Sequence, residues 1–138
     1  MDIKRFEFVS NGNEQGQLVA LESNKNVPFE IKRVYYIVKT VDDVVRGKHA
    51  HRNLQQILIC VNGSFKLKLD DGDESVVIEM NKHNEGIYVS NGMWREMYDF
   101  APGTVLLVLA SEYYDTNDYI RDYDEFLEYA HSLKEKAD

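Results

Sequence analysis

Short strand-like runs separated by tight turns constrain the fold of this chain more than any other feature. The runs are rich in β-branched, aliphatic and aromatic residues and lie at residues 3–9, 17–21, 31–38, 55–61, 64–69, 75–80, 86–90, 93–100 and 104–110. Asn62-Gly63 and Asp71-Gly72 are residue pairs typical of hairpin turns. About ten strands joined by short turns predict an all-β fold, either an antiparallel sandwich or a small barrel.

The end of the chain changes from a strand period to a helical period. Asp122 followed by Glu125 resembles a capping box, and apolar residues then recur at helical spacing: Tyr123, Phe126, Leu127, Ala130 and Leu133. We expect one amphipathic helix of roughly 12 residues packed on the barrel. The 138 residues are predicted to form a single domain, with the barrel in about residues 1–110 and the extension and helix in about 111–138.

Composition argues against several functional classes. The net charge of -8 disfavours a nucleic-acid or membrane-surface binder, because both need a basic face, but it permits a local cationic pocket. The single cysteine, Cys60, lies in an apolar run and is expected to be a buried, inert thiol. The N-terminus lacks the apolar region of a signal peptide, so we expect the cytoplasm.

His49 and His51 stand one residue apart in the run RGKHAH. In an extended segment, residues i and i+2 point to the same face, so the two imidazoles should point the same way. They could share a metal, or one could act as a base while the other orients or binds a ligand. The plainer interpretation is a pair of hydrogen-bonded histidines on a barrel rim.

The histidine segment resembles the first motif of the cupin superfamily. His49, His51, Gln56 and Gly63 occupy the positions of its two histidines, its glutamate and its glycine. The second cupin motif is matched loosely by a glycine-bounded hairpin, with Arg95 where a third histidine would stand. A divalent metal needs those histidines and the carboxylate. Since an amide and a permanent cation replace two of the ligands, we predict no metal.

Several side chains are candidates for binding a phosphorylated ligand. Guanidinium groups match phosphate oxygens in pairs, which puts the arginines first. A lysine on the cationic face of a hairpin strand is a further candidate. So is a tyrosine that precedes the Asn91-Gly92 turn and is expected to point into the barrel. The binding set is Arg33, Arg46, Lys68, Tyr88, Arg95 and Arg121. The remaining C-terminal tyrosines, 113, 114, 119 and 123, are expected mainly to cover the barrel and seat the helix.

Longer runs resemble the sugar 3,4-ketoisomerases of bacterial deoxysugar synthesis. These runs are NKNVPFEIKRVYYI at 24–37, RGKHAH at 46–51, WREM at 94–97, ASEYYD at 110–115 and DYIR at 118–121. The resemblance implies conversion of dTDP-4-oxo-6-deoxyglucose to its 3-oxo isomer, in the biosynthesis of dTDP-3-amino-3,6-dideoxyhexoses. It also implies a cupin-like barrel (jelly roll) with one C-terminal helix, no metal or other cofactor, and a homodimer that exchanges N-terminal strands.

The residues suit that reaction. Moving a carbonyl from C4 to C3 requires loss of the C3 proton, an enediol intermediate and reprotonation at C4, and an imidazole suits a proton that is taken and returned. By position in the family motif, His49 is the predicted base and Tyr35 its partner. His51 is predicted to orient the sugar or the base. Arg95 or a tyrosine would donate to the enediolate oxygen.

The resemblance also bears on stereochemistry. Sequences of the type that gives the galacto product carry an arginine at the Gln15 position and a histidine at the Arg95 position. Because this chain has neither residue, we predict the gluco product, dTDP-3-oxo-6-deoxyglucose.

Three alternatives remain at the level of sequence. The first is a 3,5-epimerase acting on the same nucleotide sugar, which also works by proton transfer on a β-barrel. The second is a non-catalytic cupin that binds a sugar nucleotide as a sensor. The third is a metal-dependent dioxygenase.

Overall fold

In the computed structural model, which describes residues 1–137, twelve β-strands precede one C-terminal helix. The strands are β1 Arg5–Glu7, β2 Asn11–Asn13, β3 Gly16–Leu18, β4 Arg33–Ile37, β5 Arg46–His51, β6 Gln56–Asn62, β7 Phe65–Asp70, β8 Ser75–Met80, β9 Glu85–Val89, β10 Trp94–Tyr98, β11 Val105–Ala110 and β12 Tyr119–Ile120. A 3₁₀ turn, Thr116–Asp118, precedes β12, and the helix α1 spans Tyr123–Ala137. The predicted all-β fold with one C-terminal helix is confirmed.

Two five-stranded antiparallel sheets form the barrel. Their strand orders are β1-β9-β6-β11-β4 and β12-β5-β10-β7-β8, and β2 pairs with β3 as a separate hairpin. The space between the sheets is filled by side chains from both of them, among them Leu58 and Val108 from the first and Leu67 and Met97 from the second. This arrangement of two antiparallel sheets packed face to face is a jelly roll.

Alternation along β7 shows which face of the second sheet is inside. Phe65, Leu67 and Leu69 are buried in the core, while Lys66 and Lys68 lie on the opposite, outer face. Successive side chains of a strand point to opposite faces, so this placement follows from the apolar residues entering the core. The prediction that Lys68 binds a ligand in the barrel is therefore wrong, because its side chain faces away from the interior.

The outer face of the first sheet is covered by the N-terminal segment. Phe8, Val27 and Phe29 pack there against side chains of β6 and β11. Tyr88 packs against the same cluster, and its hydroxyl donates to Gln55 Oε1 at 2.6 Å. The expectation that Tyr88 points into the barrel is wrong, because its neighbours in β9, Ile87 and Val89, take the inward positions.

The helix covers the outer face of the second sheet. Asp122 caps it, since its Oδ1 accepts from the backbone N–H groups of Asp124 and Glu125. Phe126 and Ala130 bury their side chains with Trp94 and other residues of the sheet. Among residues 1–137, no helix combines the length and the apolar character needed to cross a membrane.

Candidate active site

Strand β5 brings the two histidines onto the inner face of the second sheet. Ala50 between them is buried on the outer side, under the helix, so His49 and His51 both point inward. Their ring centroids are 4.9 Å apart and the rings are nearly perpendicular, at 87°. The shared direction predicted from the i, i+2 spacing is confirmed.

A β-bulge fixes the direction of His49. Gly47 and Lys48 have φ angles of 86° and 57°, and the pairing with β10 shifts register between Arg95 and Glu96. The bulge brings the Gly47 carbonyl oxygen within 3.0 Å of His49 Nδ1. Because a carbonyl oxygen only accepts, Nδ1 must carry the ring hydrogen, and the His49 Nε2 lone pair is left free.

Replacing Gly47 by alanine should lower kcat without abolishing folding. The new Cβ would lie 2.9 Å from the Arg95 carbonyl oxygen, in a backbone region that favours glycine, so the bulge must shift and re-aim His49. We expect a fall in kcat of about tenfold or more, because misplacing a reacting group by an ångström is costly. Gly103→Ala is the matched control: its φ is 78°, but Asn62 at 3.7 Å leaves room. Equal kcat values for the two variants would contradict this role of the bulge.

His51 is held by a carboxylate that the sequence analysis missed. Its Nδ1 lies 3.1 Å from Asp118 Oδ2, and the same carboxylate accepts from the backbone N–H groups of Asn53 and Leu54. The His51 Nε2 is buried without a hydrogen-bond partner among the described residues. Tyr119, expected mainly to cover the barrel, lies against both imidazoles, with its ring centroid 4.9 Å from that of His49 and 4.4 Å from that of His51.

A chain of three polar side chains crosses the barrel interior beside the histidines. Arg95 is 1% exposed, and its guanidinium donates to Gln56 Oε1 and to the Met93 carbonyl oxygen. Gln56 Nε2 in turn donates to the hydroxyl oxygen of Tyr35 at 2.9 Å. No carboxylate pairs with Arg95 among the described hydrogen bonds and ion pairs, so the interior next to His49 is electropositive.

Burial and this cation together set the protonation state of the histidines. Burial, and then the Arg95 charge, lower the pKa of His49 to about 4 and lower the pKa of His51 as well. Burial likewise lowers the pKa of Arg95, to about 10, so Arg95 stays charged at neutral pH. Burial raises the pKa of Tyr35 above its ordinary value. At neutral pH His49, His51 and Tyr35 are therefore neutral, and Arg95 beside them is charged.

The depressed pKa predicts how activity depends on pH. A base that is already neutral gains nothing as the pH rises through 6.5, so kcat/KM should be flat across neutral pH and fall only near pH 4. Between pH 6.5 and pH 4 the unfolded chain binds more protons at His49 than the folded chain does. The free energy of unfolding should therefore decrease as the pH falls through this window. A pH–rate profile with an acid limb near pH 6.5 would contradict this prediction.

Two adjoining cavities open onto this interior, with volumes of about 300 Å³ and about 460 Å³. Tyr35, Arg46 and His49 line the smaller cavity and His51 lines the larger, while Arg33 and Tyr119 line both. Of the predicted site residues, the structure thus brings Tyr35, His49 and His51 together with Arg33, Arg46 and the buried Arg95. Arg121 lies against the outer part of this site, with its guanidinium 4.3 Å from the centroid of the Tyr119 ring.

Gln15 lies elsewhere. It is exposed in the turn of the β2–β3 hairpin, where its backbone N–H donates to Asn13 Oδ1, and it lines neither cavity. Within residues 1–137, no three His, Cys, Asp or Glu side chains converge as metal ligands. The arrangement is suited to proton transfer next to an oxygen that gains negative charge.

A protein-family model described as "FdtA: WxcM-like, C-terminal" matches residues 1–131. The chain belongs to this FdtA family. One relative is a TDP-4-oxo-6-deoxy-alpha-D-glucose-3,4-oxoisomerase of Aneurinibacillus thermoaerophilus, 48% identical over 94% of this chain and 93% of that protein.

Two solved structures of 3,4-ketoisomerases are similar to this FdtA-family chain over nearly its whole length. QdtA of Thermoanaerobacterium thermosaccharolyticum, crystallised as a histidine-to-asparagine mutant with TDP-4-keto-6-deoxyglucose, is 46% identical, with a TM-score of 0.92 and 94% coverage of both chains. WlaRB of Campylobacter jejuni, a TDP-quinovose 3,4-ketoisomerase, is 49% identical, with a TM-score of 0.87 and coverage of 92% of this chain and 98% of that one. The predicted family and the predicted isomerase activity are confirmed.

Proposed function

We propose that this enzyme converts dTDP-4-oxo-6-deoxyglucose to dTDP-3-oxo-6-deoxyglucose, with His49 as the base. The observation that carries the proposal is the His49 Nε2 lone pair, kept free by the Gly47 carbonyl and unprotonated by burial and Arg95, in a cavity shared with Tyr35. The names of the similar proteins support the substrate class. No step in this chemistry calls for an electron acceptor or a metal.

The proton balance of the reaction closes with two side chains and solvent. His49 Nε2 removes the proton from C3, the C–H electron pair becomes the C3=C4 double bond, and the C4 oxygen takes a hydrogen from the Tyr35 hydroxyl. Tyr35 then recovers a hydrogen from the C3 hydroxyl as the C3 carbonyl forms, C4 takes a proton from solvent on the ring face opposite His49, and His49 gives its proton to solvent. This matches the gluco series, in which the C3 and C4 hydrogens lie on opposite faces of the ring. The Arg95 cation stabilises the negative charge on the enediolate and the phenolate between these steps.

Other residues of the site have binding roles in this proposal. The His51 ring is fixed by Asp118 and orients the sugar through its free Nε2. Arg33, Arg46 and Arg121 border the cavities or their edge and supply guanidinium groups for the diphosphate. Lys68 and Tyr88 have no role, since they lie on outer faces.

The gluco configuration of the product is inferred from the two positions at which the galacto type differs by family resemblance, of which Gln15 lines neither cavity of its own protomer. Position 95 holds a guanidinium and not an imidazole, and position 15 holds no cation, so neither feature of the galacto type is present and C4 receives its proton on the face opposite His49. Similarity to a TDP-quinovose ketoisomerase supports this outcome. Trapping the product with a matching 3-aminotransferase and analysing it by NMR tests it, and a fucose-configured amino sugar would contradict it.

Following dTDP-4-oxo-6-deoxyglucose by NMR in deuterated buffer tests the reaction itself. The ketoisomerase should produce the 3-oxo sugar with deuterium at C4 and none at C5, whereas a 3,5-epimerase exchanges at C3 and C5. Binding without turnover would favour a sensor. Turnover that requires iron or nickel, measured by elemental analysis, would favour a dioxygenase.

A homodimer that exchanges N-terminal strands is also part of the proposal. The residues of the β2–β3 hairpin are all exposed in one protomer, and Val34 and Tyr36 expose apolar surface on the outer face of β4. Both features suit a partner that covers them. Light scattering should give the mass of two chains. The cytoplasmic location remains a prediction from the sequence.

A further inference from the structure

Gln56 occupies the centre of the polar chain in the barrel interior. It is 2% exposed, and β6 directs it inward beside Leu58 and Cys60 of the core. An amide can face its neighbours either way round, with oxygen and nitrogen exchanged. Here the neighbours decide, because the Arg95 guanidinium has only donors and must face the amide oxygen.

This orientation determines what Tyr35 can do. With its oxygen on Arg95, Gln56 presents Nε2–H to Tyr35, so the phenolic oxygen accepts at 2.9 Å. The single hydroxyl hydrogen of Tyr35 is then not used by Gln56 and is available to the cavity that Tyr35 shares with His49. Because Arg95 fixes the oxygen end of the Gln56 amide, the nitrogen end must donate to Tyr35.

A second glutamine–tyrosine pair on the same sheet shows the opposite direction. On the outer face, the Tyr88 hydroxyl donates to Gln55 Oε1 at 2.6 Å, so its hydrogen is occupied. No arginine contacts that amide in the described hydrogen bonds. The two pairs are neighbours in sequence, and only the Gln56 amide has an arginine that fixes which of its ends faces the tyrosine.

We propose that Gln56 is a positioning residue that keeps the Tyr35 hydroxyl directed, as a hydrogen donor, at the sugar oxygen that becomes the enediolate. This rests on the proposed function, in which Tyr35 supplies that hydrogen. Gln56 touches no substrate; it acts through Tyr35. The amide also explains the departure from the cupin motif at this position: a carboxylate between Arg95 and Tyr35 would accept from both and draw the Tyr35 hydrogen away from the cavity.

The test compares two replacements of nearly equal size. Gln56→Glu provides Arg95 with a counter-ion but takes the Tyr35 hydrogen, so kcat should fall about a hundredfold, as when one donor to an oxyanion is lost, while KM changes less than about threefold. Gln56→Met leaves that hydrogen free and should lose less. A purely structural role predicts the reverse order, because methionine leaves the buried cation without an acceptor. Rates are measured near pH 8.5, where the imidazoles are neutral in every variant.

A double-mutant comparison shows whether Gln56 acts through Tyr35. In a Tyr35→Phe background, Gln56→Glu should cause almost no further loss of kcat. Additive losses, or a Gln56→Met variant slower than Gln56→Glu, would overturn the inference. If Gln56→Glu does not fold, the loss of kcat caused by Gln56→Met is compared in the wild-type and Tyr35→Phe backgrounds. A smaller loss in the Tyr35→Phe background would support the inference, and an equal loss would overturn it.

Two controls keep this result separate from the proposed function. Gln55→Glu places a carboxylate against a tyrosine on the outer face and should leave kcat unchanged. Wild-type protein without ketoisomerase turnover would refute the proposed function. An active wild type with a fully active Gln56→Glu variant would refute the positioning role of Gln56 alone.

Discussion

Replacing His49 by asparagine should lower kcat about a thousandfold, within the range expected for loss of a general base. Asparagine preserves a polar side chain near the Gly47 carbonyl but has no basic nitrogen to take the C3 proton. Binding of TDP should remain within about threefold of wild type, because His49 contacts the sugar and not the diphosphate in the proposed complex. The measurements are kcat by NMR and affinity by calorimetry.

His83→Asn is the matched control for this variant. His83 is exposed and lies 2.9 Å from Ser10 Oγ, away from both cavities of the site, so its loss should leave kcat unchanged. If His49→Asn kept normal turnover while His51→Asn lost it, the base would be His51. The Asp118 contact would then orient the base itself.

Replacing Arg95 by methionine should reduce kcat about a hundredfold and move the acid limb of the pH–rate profile upward. The reduction follows from removing a buried cation next to the developing enediolate, where a charge acts with little screening. The upward shift follows because Arg95 is, after burial, the largest cause of the lowered pKa of His49. Burial remains in the variant, so the limb should stay below pH 6.5.

Arg52→Met provides the control for removal of one positive charge. Arg52 is half-buried outside both cavities, pairs with Glu125 at 2.9 Å and lies over the Tyr129 ring, so neither kcat nor the acid limb should change. Thermal unfolding of both variants shows whether they are folded. An Arg95→Met enzyme with an unmoved acid limb would mean that Arg95 does not act on His49, and the electrostatic account of the site would be wrong.

The sequence predicted most strands because their local chemistry carries the signal. β4 is rich in β-branched and aromatic residues and lies within a predicted run. β6 and β7 combine aliphatic residues with the turn pairs Asn62-Gly63 and Asp71-Gly72, and each extends one residue beyond its predicted run. β5 was described only as an extended histidine segment, since Arg46–His51 has no apolar alternation. It forms a strand because its backbone pairs with β10 and β12. The helix was placed correctly by Asp122 but is longer than predicted, at 15 residues.

The faces of individual residues were harder to predict than the strands. Lys68 and Tyr88 belong to the binding set predicted from the sequence, but both lie on outer faces. Strand parity alone gives two faces and does not say which one meets the opposite sheet. The sequence does not identify Asp118 and Tyr119 as site residues, because they lie 67 and 68 positions after His51. Nothing local to their segment indicates a histidine partner.

The amino-acid sequence by itself determined the β-rich architecture, the capped C-terminal helix, the common direction of His49 and His51, and the family. These depend on periodicity, turn chemistry and motifs that act over a few residues. Only the tertiary structure decided that Arg95 is buried without a carboxylate, that it orients Gln56 toward Tyr35, and that it keeps His49 neutral. Those properties arise from side chains on different strands, β4, β5, β6 and β10, and electrostatic effects of that kind depend on distance and burial, which only the folded chain sets.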